Sequence, residues 1–193
     1  PYFVAGAVFA GFAMVIIAAV GLRVQFKLQH LITMEHIDNA AKFVLITGSL
    51  VGYGYLMEVF GAWYGGHTAE VLVAVNRAVG PYAPVYVGMI FFNVIFIQLL
   101  WFKSIRRNTT WLVVICIGVL IGMWLERFVI IPVSLSYGHS VAMWEFYVPT
   151  ITDWLTIISP FGLFLTPFFL FIRFFPVLPM FEMQQIHYEE GHS

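Results

Sequence analysis

The 193-residue chain is 61% apolar and only 10% charged, with a mean hydropathy of +0.91. A soluble domain of this length would need a far larger charged surface, so the balance points to an integral membrane protein. The formal net charge of −1 argues against nucleic acid as a partner, because no basic surface is present to neutralise phosphates.

The chain opens on PYFVAGAVFAG, with no initiator Met and no basic stretch before the apolar run. That reads as a start partway through a longer polypeptide rather than as a signal peptide. A bilayer core of about 30 Å needs roughly 20 apolar residues of helix, and residues 2–22 supply the first such span. Residues 23–41 are too polar to cross and are expected to run along the inner interface. There Asp38 is placed to cap the helix that follows, and His30, His36 and Asp38 are weak candidates for inward proton entry, set against ordinary solvation. Residues 43–63 form the second span, with Tyr55 and Glu58 in YGYLMEVFGAWYGG. A loop over 65–82 carries His67 and Glu70, and the third span follows at 85–102. Asn93 and Gln98 within it are expected to hydrogen-bond between helices. The fourth span, 111–135, contains GMWLERFVIIP with Glu126 and Arg127 side by side. It also holds the lone Cys116, which permits no internal disulfide and reads as a small buried hydrophobe. After a loop at 136–149, the fifth span covers 151–174, with Asp153 at its start and Pro160 and Pro167 inside it.

None of these interiors alternates as a barrel strand would, so the fold is expected to be all-α, with five transmembrane helices. The chain divides into a first span at 1–22, a cytoplasmic interfacial segment at 23–41, four further spans within 42–175, and a polar tail at 176–193. Arg23, Lys27, Lys42, Lys103, Arg106, Arg107 and Arg173 fall on one side, against Arg77 alone on the other. The rich side is therefore cytoplasmic, as is the C-terminus, and the 65–82 and 136–149 loops face outward.

The charges inside the spans need a reason. Glu126 lies 15 residues past Trp111 and Glu58 lies 16 past Lys42. At 1.5 Å per residue both reach about 22–24 Å above the inner side, and Asp153 sits slightly higher. Arg127 is the cation at that level. Gly122 and Gly118 precede Glu126 at steps of four, a small-residue row where another helix can approach closely. Thr47, Gly48, Val51, Gly54 and Tyr55 share the face of Glu58, with Leu45 largely opposite. Both carboxylates are thus expected to point at protein. Glu126 and Arg127 cost roughly 5–7 kcal/mol at a span centre, and the apolar residues around them return about 4–8 kcal/mol. Two readings compete. In one, Arg127 pairs with Glu58 or Asp153 and simply ties helices together. In the other, Glu58, Glu126, Arg127, Asp153 and Tyr55 are proton-transfer groups.

No His lies inside a span, where a haem iron would need its axial ligands, and no metal-binding motif stands on a helix. No haem, iron–sulfur or other metal site is expected in this chain.

HIDNAAKFVLITGSLVGYGYLMEVFGAWYGG (36–66), GMWLERFVII (122–131) and FPVLPMFEM (175–183) resemble the polysulfide-reductase, NrfD-like family of membrane subunits. Within it, they resemble most the quinol-oxidising subunits of bacterial alternative complex III. The resemblance implies the second half of a ten-helix subunit built from two four-helix bundles, in the bacterial cytoplasmic membrane. It implies that the full subunit binds menaquinol or ubiquinol near the outer face. Its partners would be an iron–sulfur subunit and haem c subunits on the outer side, with a homologous NrfD-like subunit beside it in the bilayer. The quinol ligands belong to the half not represented here, so none is assigned. Glu126 and Arg127 of the ERF motif and Glu58 of MEVF carry over as buried polar groups linked with proton translocation. A secondary transporter using the same charges, or a purely structural anchor subunit, remain the alternatives.

Overall fold

The computed structural model describes residues 2–26, 29, 32–133 and 150–175. The expected tail at 176–193, the loop at 136–149 and His30 lie outside these residues. Among the described residues every regular element is helical, and five helices are long and apolar enough to cross a membrane. The chain forms two compact units, Pro1–Tyr147 and Val148–Ser193.

The first unit is a four-helix bundle whose seams follow from residue spacing. Helix α1 (Tyr2–Gln25) buries Gly6, Phe9, Ala13, Ile16 and Val20, alternating steps of three and four that keep one stripe turned inward. Helix α2 (Met34–Gly65) buries Ile37, Ala41, Val44, Gly48, Val51 and Tyr55 with the same rhythm. The two run antiparallel, and Gly48 leaves room for the ring of Phe9 and the tip of Ile97. Leu45, expected on the opposite face, is also buried, because the inward stripe is wide enough to include the residue beside Val44.

Helix α2 starts earlier than expected. Thr33 is its N-cap and Asp38 lies within its second turn, so Asp38 does not cap it. Its 32 residues span about 48 Å, more than a hydrocarbon core, so its ends project or tilt. Gly66 adopts φ 66°, the left-handed turn that glycine tolerates, and ends it. The segment expected as a loop then folds into helix α3 (Thr68–Val79).

The third span, Ala83–Trp101, is not uniform. Helix α4 (Ala83–Ile90) widens into a π-turn at Phe91–Ile95 and tightens to a 3-10 segment at Phe96–Trp101. A short helix α5 (Lys103–Arg106) leads to α6 (Thr109–Phe128), whose N-cap Asn108 accepts from the Thr110 and Trp111 amides. A second π-turn, Val129–Val133, contains Pro132. Proline offers no N–H and would crowd the carbonyl four residues back, and the wider turn accommodates both. Gly118 and Gly122 of α6 meet Phe92, Asn93 and Phe96 of the third span, the close approach expected of that row.

At the basic end of this unit, Asp38 is 7% exposed and held by two cations. Arg106 Nε donates to Oδ1 at 2.8 Å, and Lys42 Nζ lies 3.0 Å from Oδ2. Arg106 Nη1 also donates to the Leu100 and Trp101 carbonyls, at 2.8 and 3.1 Å, which end the third span. One guanidinium therefore caps one helix and pins it to another.

The second unit contains helix α7 (Ile151–Phe174), which runs through Pro160 and Pro167. The Asp153 carboxylate accepts from the Thr150 amide at 2.8 Å and hydroxyl at 2.7 Å, closing its first turn.

Candidate functional site: a buried carboxylate shared by four helices

Glu126 continues the inward stripe of α6 through Leu112, Ile115, Val119 and Gly122, and is 2% exposed. Its two oxygens are separately satisfied. Tyr55 of α2 donates its hydroxyl to Oε2 at 2.6 Å, and Tyr2 of α1 donates to Oε1 at 3.1 Å. Asn93, fully buried on the π-turn of the third span, donates Nδ2 to the Tyr55 oxygen at 2.8 Å. Each of the four helices thus contributes one polar side chain to a single node. Bonds from Asn93 to Tyr55 to Glu126 point the same way, so each donor polarises the next. The Tyr2 and Tyr55 rings meet edge to face at 5.9 Å, which fixes both hydroxyls over the carboxylate.

Local backbone explains the placement. Gly54 leaves space for the Tyr2 ring against α2, and Gly122 lets the Asn93 amide lie on the α6 backbone. The π-turn shifts the phase of the third span at Asn93 relative to a plain α-helix, a device frequent at functional sites. Asn93 Oδ1 is buried and makes no hydrogen bond among the described residues. It packs on the Gly122 side of α6, so Asn93 offers the node a donor only.

The other residues singled out by the sequence fall elsewhere. Glu58 does not share a guanidinium with Glu126. Its partner is Arg77 of α3, whose Nη1 donates to Oε1 at 2.6 Å, and the Glu58 side chain is 53% exposed. The inward stripe of α2 passes through Glu58, but the bundle opens at that level into a cleft beneath α3. Arg127 turns away from Glu126, with its guanidinium 5.1 Å from the centre of the Phe3 ring. Neighbours on an α-helix differ by about 100°, so Glu126 points into the bundle while Arg127 reaches Phe3 on its outer side. Tyr55, expected near Glu58, bonds Glu126 instead. Asp153 serves the start of α7. His36 Nδ1 lies 2.7 Å from the Thr33 hydroxyl at an exposed turn, while Asp38 is tied up at the basic end. Asn93 bonds between helices as expected. Gln98 does not: its amide donates to the Val94 carbonyl of its own span and its oxygen accepts from Trp101.

Two partners were missed by sequence reasoning. Tyr2 could have been found by register, since an antiparallel α1 brings its first turn level with Gly54 and Tyr55. Arg77 was counted as a loop charge, although the run Glu70, Val73, Ala74, Arg77 already follows one helical face.

A family profile described as "Polysulphide reductase, NrfD" matches residues 1–138, which include the first four spans and every member of the node. Among curated proteins, none matches the chain.

Proposed function

Since the chain belongs to the polysulphide reductase NrfD family, multi-pass membrane subunits of quinol-oxidoreductase-type complexes that work beside iron–sulfur subunits, we propose that it is the quinol-oxidising kind found in bacterial alternative complex III. In this reading menaquinol or ubiquinol is oxidised near the outer face of the cytoplasmic membrane by the full subunit. Electrons leave to the iron–sulfur partner and on to haem c subunits, with a homologous membrane subunit alongside. The basic end carrying Lys42, Lys103 and Arg106 lies in the cytoplasm, as the positive-inside rule requires.

Quinol oxidation releases two electrons and two protons, and this chain's part is to handle protons. The supporting observation is Glu126, an acid held inside the bundle by two phenols and no cation among the described residues. A carboxyl so placed can take a proton and return it with small rotations of the Tyr55 and Tyr2 hydroxyls. Glu58, one helical turn beyond Tyr55, is the next acid toward the outer end and is open enough to exchange with water. Arg127 and Asp153 have no assigned step.

The structural alternative also has an observation in its favour, because the node joins all four helices. Glu126→Gln separates the two. Glutamine keeps an acceptor for one tyrosine and nearly the same volume but cannot carry the proton. In the intact complex, quinol-driven turnover is expected to fall by about tenfold or more, with assembly preserved. Unchanged turnover in a normally assembled Glu126→Gln complex would leave the node a structural clasp.

A further inference from the structure

Outside the node, the described residues form a cleft built around charge. It holds about 460 Å³ and lies where α2 ends, under α3 and beside the third span. Glu58, Glu70, Arg77 and Tyr86 supply its polar groups, and Val73 and Ala74 are among its apolar walls. Glu58 lies 16 residues beyond Lys42 on one helix, about 24 Å along its axis, which puts the cleft near the far boundary of a hydrocarbon core.

The surroundings are those of a membrane interface. Trp63 and Tyr64 stand exposed at the end of α2, as aromatic belts do. Helix α3 turns Ala74 and Arg77 toward the cleft, while its outward side exposes Leu72, Val75 and Val79. A helix lying across span ends with an apolar outer face is suited to the boundary between headgroups and acyl chains. A cleft bordered by such a helix is suited to a lipid headgroup.

Its charges select among lipids. Two carboxylates and one guanidinium give the lining a net negative charge, which disfavours an anionic head. The guanidinium matches a phosphate, and the carboxylates match a group that both carries positive charge and donates hydrogen bonds. We propose that this cleft binds the headgroup of an ethanolamine phospholipid, with the ammonium between Glu58 and Glu70 and the phosphate on Arg77. A choline head carries the charge but has no N–H to donate, and a glycerol head lacks the charge. The site shares Glu58 with the proton path proposed above but does not include Glu126.

Native mass spectrometry of the delipidated complex, with ethanolamine, choline or glycerol phospholipid added back, tests the assignment. The ethanolamine lipid is expected to be retained about tenfold better than the glycerol lipid, the worth of one charge-assisted hydrogen bond. Choline lipid should fall between them. Ala74→Trp, which fills the cleft, and Glu70→Gln, at an exposed position, should each reduce that preference severalfold. Equal retention of all three lipids by the unmodified complex overturns the proposal. So does an unchanged preference in both variants, as would follow if a protein subunit covered the cleft. Glu126→Gln should leave the lipid preference intact, so failure here and failure of the proton reading can be told apart.

Discussion

Gly122→Val is expected to lower the stability of the bundle by about 3 kcal/mol, seen as earlier thermal or denaturant unfolding of the purified complex in micelles. A Cβ at this position would lie 2.8 Å from Phe92 Cβ and 2.9 Å from Asn93 Cγ. Phe92 Cβ is bonded directly to the backbone and cannot swing aside, so the whole third span must back away from α6. That movement also draws Asn93 from Tyr55, now 2.8 Å away, and loosens the support of Glu126. Gly11→Ala is the control. Nothing lies within 4 Å of a Cβ there, and better helix propensity should leave stability unchanged or raise it by up to about 1 kcal/mol. Equal behaviour of the two variants would mean that α6 and the third span are not packed this closely.

Arg106→Ala is expected to cost a similar amount, about 3 kcal/mol, by a different route. Asp38 would keep only Lys42, half-exposed and on its own helix, while its carboxylate stays mostly buried. The carbonyls of Leu100 and Trp101 would lose their shared donor at the same time. Arg106→Lys should recover only part of the loss, because an ammonium cannot reach a carboxylate and two carbonyls with one planar fork. Added salt should weaken the unmodified protein little, since the pair is largely shielded from solvent. An Arg106→Ala protein as stable as its parent would show the clasp to be incidental.

The spans were legible because insertion into lipid depends on length and apolarity, which any window of sequence displays. The Gly118–Gly122 row was legible because small residues at steps of four have few other uses in a membrane helix. The inward face of Glu126 followed from that row. Its partners did not follow, since they depend on the phase of the third span, and the π-turn at Phe91–Ile95 resets that phase without a clear sequence mark. Pairing Arg127 with an acid rested on depth alone and neglected the rotation between adjacent residues. Arg77 was hidden by an assumption about the 65–82 segment: too short and polar to cross the bilayer, it read as loop, yet Glu70, Val73, Ala74 and Arg77 repeat at helical intervals. The start of α2 was misread for a related reason. Asp38 is a good cap in isolation, but its carboxylate is more strongly held by Arg106 and Lys42, and Thr33 takes the terminus.

The node at Glu126 also limits how this bundle can be re-engineered. Tyr2, Tyr55, Asn93 and Glu126 come from four separate helices, so a hybrid that borrows one span from a divergent relative inherits a quarter of the arrangement. A borrowed α6 with leucine in place of the acid would leave the Tyr2 and Tyr55 hydroxyls without their acceptor inside the bundle. Working chimaeras should therefore exchange all four spans together, and the bundle, rather than the single helix, is the smallest portable module.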